Sequence, residues 1–175
     1  MEAVYRSLTS TTDDTDSKSN FPPWAVPCFL FRRHEMIRTE TSWVLFIAGL
    51  MFASALVIGV WKWQQSISSP DGTAHRYVNV AHSAGLMYSF ATAAIIAPLV
   101  QFSGWPTAVN IGAASAIIGM FVVTITNYVR LGFQARTDNQ MRDSRSSLRG
   151  VREALIIGEL GGTVVLLAGF ASAQL

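Results

Sequence analysis

Residues 77 to 100 run without Asp, Glu, Lys or Arg: Tyr77-Val-Asn-Val-Ala-His82-Ser-Ala-Gly-Leu-Met-Tyr88-Ser-Phe-Ala-Thr-Ala-Ala-Ile-Ile-Ala-Pro98-Leu-Val. At ~1.5 Å per residue such a run makes a helix long enough to cross a bilayer. Near its start sits His82, with Asn79 and Ser83 beside it and Tyr88 and Ser89 nearly two turns on. An imidazole in hydrocarbon is costly unless something satisfies it, so His82 requires a partner.

Three further stretches have the same character. Trp43 to Trp61 is free of charge and is bounded by Trp43 at one end and by Trp61 and Trp63 at the other, the pattern of interfacial aromatic belts. Residues 106 to 129 are also free of charge, and Pro106 suits a first helical turn, where its missing N–H costs nothing. Residues 151 to 170 carry Glu153 near the mouth and Glu159 well inside. The chain therefore reads as all-α, an integral membrane four-helix bundle with spans at about 43–61, 77–100, 106–129 and 151–170. Composition agrees. Half of the residues are hydrophobic and 14% are charged, where soluble domains carry about a quarter.

Length allows one membrane domain, residues 41–175, behind an N-terminal segment, residues 1–40. Thr9 to Asn20 is wholly polar and reads as disordered. Pro22, Pro23 and Pro27 exclude a helix there, and Phe29 to Arg33 fits either an interfacial segment or an ordered loop. The polar, acidic start reads against a cleaved secretory signal. The lone Cys28 excludes an intrachain disulfide and a multi-cysteine zinc site. The sequence pI near 9.0 reflects membrane orientation, because no basic patch is interleaved with aromatics; no nucleic-acid partner is expected. Basic residues lie five on the N-terminal side and eight on the other, counting the six arginines from 130 to 152. That excess favours the second side as cytoplasmic. Which membrane holds the protein is left open.

Polar groups converge at one level. His82 lies roughly 8 Å in from its end of the second span and Glu159 roughly 12 Å in on the fourth. Thr124 and Asn127 lie near the same end of the third. One buried pocket would gather them, since ionisable groups at such depth face the bundle interior. Tyr88 lies about 120° around the helix from His82 and would meet a different neighbour or a substrate. For His82 three roles stand open: an interhelical hydrogen bond, a metal or haem ligand, or a proton-handling group. Glu159 serves equally as a structural hydrogen bond or a catalytic acid. Gly112, Ala116 and Gly119 read as a small-residue stripe for close helix contact. Gly158-Glu-Leu-Gly161-Gly162 reads as helix packing and not as a phosphate loop.

The stretch Pro70-Asp71-Gly72-Thr73-Ala74-His75-Arg76-Tyr77-Val78-Asn79-Val80-Ala81-His82-Ser83 resembles the styrene-oxide isomerases and the related hydroxylaminobenzene mutases. Both are short four-helix membrane proteins with an Ala-His motif near the start of the second helix. Ile96-Ala97-Pro98-Leu99, Thr126-Asn127 and Glu153-Ala154-Leu155 fall at corresponding places. The resemblance covers roughly residues 43 to 172, its specific part about thirty residues. Tyr88 stands where the family has Asn, Val123 where the isomerases have an acidic residue, and Leu131 where they have a pocket tyrosine.

The resemblance implies that His82 is the axial ligand of a haem b held in a homo-oligomer, a trimer in the isomerases. It implies ferric iron acting as a Lewis acid on an epoxide, and Asn127 as a pocket residue. The expected function is thus a haem-dependent isomerase of a small hydrophobic epoxide or N-hydroxy compound drawn from the lipid bilayer, with Asn127, Tyr88 and Glu159 as candidate catalytic groups. The alternative is a non-catalytic structural or assembly subunit of a larger membrane complex, in which His82 and Glu159 lock helices together. A proton-coupled carrier fits less well, since no inverted repeat or paired broken segment is evident.

Overall fold

A computed structural model describes residues 37–136, 139–140 and 148–175. The N-terminal segment through residue 36 and most of the arginine-rich loop lie outside the described residues. Four helices follow: α1 (Thr39–Ser68), α2 (Arg76–Gln101), α3 (Thr107–Gln134) and α4 (Gly150–Gln174). Each is long and apolar enough to cross a membrane, and no strand occurs among the described residues. The expected spans are all present. At 30 residues α1 reaches about 45 Å, longer than the ~30 Å core of a bilayer.

The turn between α1 and α2 is written in its residues. Gly72 N–H donates to the Ser69 carbonyl at 3.1 Å, with Pro70 presetting the second position and Gly72 taking φ 65°. Part of the Pro-Asp-Gly-Thr lead-in is therefore explained by chain reversal alone. His75 caps α2, its Nδ1 accepting from Tyr77 N–H at 3.3 Å. At the opposite end, Arg38 ties α1 to the α2–α3 link: its N–H donates to Gln101 Oε1 and its Nη1 to the Ser103 carbonyl, both at 3.1 Å. Thr107 donates to the buried Glu40 at 3.2 Å. Pro106 stands one position ahead of α3, as its cap.

The core runs along the seam of the helices. Val44, Met51 and Ile58 of α1 meet Val78, Ala81 and Val100 of α2, Ile117 and Phe121 of α3, and Leu166 of α4. Two helices are interrupted by a wide π turn, at Thr92–Ile96 in α2 and at Ile156–Gly161 in α4. The first has a visible cause. Pro98 offers no N–H to the residue four back, and Ala97 N–H reaches to Thr92, five back, so the turn widens ahead of the ring. The second contains no proline.

Two local expectations are corrected. Gly112 and Gly119 do not pack against another helix: both are exposed, and nothing lies within 4 Å of where their Cβ would stand. The close α3–α4 contact is made instead from α4. A Cβ on Gly162 would come within 2.9 Å of the Ala113 carbonyl, and one on Gly158 within 2.6 Å of Met120 Cγ. Trp43 and Trp63 face outward, but Trp61 turns inward, because Gly132 leaves space for its ring beside Phe133.

Candidate functional site

His82 has its partner across the α1–α2 seam. Ala55 and Gly59 sit one turn apart on α1, and Gly85 lets α2 approach so closely that a Cβ there would stand 2.9 Å from that of Ala55. The imidazole lies over Gly59, where a Cβ would come within 2.8 Å of Cε1. Its Nδ1 stands 2.9 Å from the Ala55 carbonyl oxygen. A carbonyl can only accept, so the proton sits on Nδ1. A helical carbonyl retains a second lone pair for this purpose. In the neutral ring Nε2 then keeps its own lone pair and is the basic nitrogen.

The other expected site residues are distributed over different seams. Tyr88 stacks flat on Phe121 of α3, ring centroids 4.1 Å apart and planes within 2°. It thus meets a neighbour other than that of His82, as its position around the helix implies. Glu159 lies in the π turn of α4; its Oε1 is buried and has no hydrogen-bond partner. Thr163 donates to the Glu159 backbone carbonyl at 2.6 Å, so the carboxyl is not the acceptor. Tyr88 thus faces α3, and Gly158, beside Glu159, packs on Met120 of the same helix.

Asn127 belongs to a third cluster. Its Nδ2 donates to Gln140 Oε1 at 3.1 Å, and Gln140 N–H donates to the Tyr77 hydroxyl at 2.6 Å. Tyr77 in turn stacks on Tyr128, with centroids 6.1 Å apart. Gln140 is thereby tied to the start of α2. Among the described residues no hydrogen bond joins His82 to Asn127, Tyr88 or Glu159. The single pocket expected from depth resolves into a histidine on the α1 side, a carboxyl on the α4 side and an amide at the mouth. Depth arithmetic gives the level of a side chain but not the seam into which it points.

Sequence reasoning passed over Ala55, Gly59, Phe121 and Gln140. Gly59 carried a signal: a glycine one turn from a small residue within a span. Gln140 carried none. Thr124, counted among the converging polar groups, is partly buried and forms none of the described hydrogen bonds. Glu153, at the mouth of α4, is exposed and pairs with Arg152 at 2.6 Å.

Among the described residues no group of three His, Cys, Asp or Glu could hold a bare ion. A porphyrin-bound iron needs only one axial nitrogen. Ligating histidines commonly give their other N–H to a carbonyl or carboxylate, which is the arrangement of His82 and Ala55. By length and composition, the four apolar helices are those of a multi-pass membrane protein. Comparison with family models, curated proteins and solved structures gives no match.

Proposed function

We propose that this chain is a haem-b-binding membrane isomerase of small hydrophobic epoxides or N-hydroxy compounds, with His82 as the axial ligand. The observation that carries this reading is the His82 Nδ1–Ala55 carbonyl hydrogen bond, which orients the ring and leaves Nε2 basic. The resemblance around Ala81-His82-Ser83 supplies the group and the reaction class. Ferric haem, when bound, supplies a Lewis acid able to polarise an epoxide or N–O oxygen. The residues of the chain do the rest. Gly59 and Gly85 hold α1 and α2 close enough to fix the imidazole. The apolar faces of the helices admit a lipid-dissolved substrate and exclude water. Tyr88, Asn127 and Glu159 lie on other seams of the bundle and are not assigned to the haem face. The isomerase resemblance also makes a homo-oligomer, a trimer, part of the proposal.

The same hydrogen bond supports a second reading, in which His82 only fastens α2 to α1 within a larger assembly. The visible absorption spectrum of the detergent-purified protein, with and without His82, separates the two. A Soret band that depends on His82 is expected. Incubation with a panel of aryl epoxides and analysis for aldehydes then tests the reaction class.

A further inference from the structure

Lys62 is the one cation in α1. Contacts on either side of it fix its place along the α1–α2 seam. Toward the middle of the bundle, Ala55 meets Gly85 and Gly59 lies under the His82 ring. Toward the mouth, Gln65 Oε1 accepts from the His75 N–H at 3.1 Å. Lys62 stands between these contacts, two turns on from Ala55 and so on the same stripe of the helix, the one that faces α2. It lies about 4.5 Å along the axis from Gly59, on the mouth side of His82. Its side chain is half-buried and takes part in none of the described hydrogen bonds or ion pairs. The stretch of α2 that faces it, Tyr77 to His82, carries no carboxylate. No ion pair joins it to Asp71 of the α1–α2 turn among the described residues.

We propose that Lys62 anchors a carboxylate of the group held on His82. The inference rests on the haem reading above and adds to it the orientation of the porphyrin. Both propionates of haem lie on one edge of an otherwise apolar ring, and charged carboxylates are costly in hydrocarbon. The α1 cation stands one turn from His82 toward the mouth, so the propionate edge points that way and the ammonium donates to it. The four-carbon stem lies along the apolar seam and gives the ammonium its reach. Lys62 is in this account a cofactor-binding residue that makes no contact with the iron.

The test compares two porphyrins on the full-length protein in mild detergent: haem, and haem dimethyl ester, whose carboxylates are masked. Soret titration should give haem a dissociation constant about three- to tenfold weaker in Lys62→Gln than in the native protein, as for a partly exposed charge-assisted contact. Lys62→Arg should keep most of the native affinity. For the dimethyl ester, the native protein and Lys62→Gln should bind alike. Equal weakening for both porphyrins would mean that Lys62 acts through packing and would overturn the proposal, as would a haem affinity unchanged in Lys62→Gln. A native protein that takes up neither porphyrin would overturn the haem reading itself, and this inference with it.

Discussion

The Nδ1 of His82 lies 2.9 Å from the carbonyl oxygen of Ala55, across the closest approach of α1 and α2. This contact answers the cost of placing an imidazole in lipid, and it fixes the tautomer in the same stroke. Interhelical hydrogen bonds of this kind are worth only about 0.6 kcal/mol on average in a membrane. His82→Ala should therefore lower stability slightly, by about 0.5–2 kcal/mol, and leave the bundle folded. Unfolding in mixed detergent micelles measures it. A cost above about 4 kcal/mol would mean that His82 is fixed by more than this bond.

Gly59 is the floor on which the imidazole rests. Gly59→Val should displace the ring and cost roughly 1–3 kcal/mol, as overpacking of a close seam does. The same replacement at Gly49, where nothing lies within 4 Å of a Cβ, should stay within about 0.5 kcal/mol. Equal effects at the two glycines would contradict the placement of His82.

Close packing of α3 on α4 comes from α4. Gly162→Leu would drive a side chain into Ile117 and the Ala113 backbone and should cost about 1–3 kcal/mol or more. Gly112→Leu and Gly119→Leu face outward and should be near neutral in the isolated protomer. Cross-linking at each glycine variant would show whether either outward change disturbs association between copies.

Tyr77 holds Gln140 through its hydroxyl, which accepts from the Gln140 N–H. Tyr77→Phe should cost about 0.5–1.5 kcal/mol and release Gln140. Tryptic cleavage after Arg136 in the folded protein should then become faster, whereas Tyr128→Phe, whose ring still stacks on Tyr77, should leave it unchanged.

Where the sequence was legible and where it was not follows from the physics of each signal. Charge-free runs of about twenty residues announce membrane helices, because lipid forbids most alternatives; all four spans lie where composition places them. The reversal at Pro70-Asp71-Gly72 was also on the surface of the sequence. The seam that each polar group enters was not. Side-chain direction depends on how the helices rotate against one another, and here that rotation is set by Gly59, Gly85, Gly158 and Gly162. Small-residue spacing alone cannot separate such contacts from outward glycines like Gly112 and Gly119. The π turns shift the rotation again: Pro98 announces the one in α2, and nothing in the residues announces the one that carries Glu159. Depth thus placed His82, Asn127 and Glu159 at one level and could not say that they occupy three different seams.

The central claim is that His82 Nε2 is held ready for haem iron. Its most direct test is the visible spectrum of protein expressed with ample haem, purified in mild detergent and titrated with further haem. A Soret band in the native protein that is lost in His82→Ala, while both proteins remain folded and monodisperse, is the predicted result. A native protein that stays colourless through the titration, or a band that survives in His82→Ala, would contradict it.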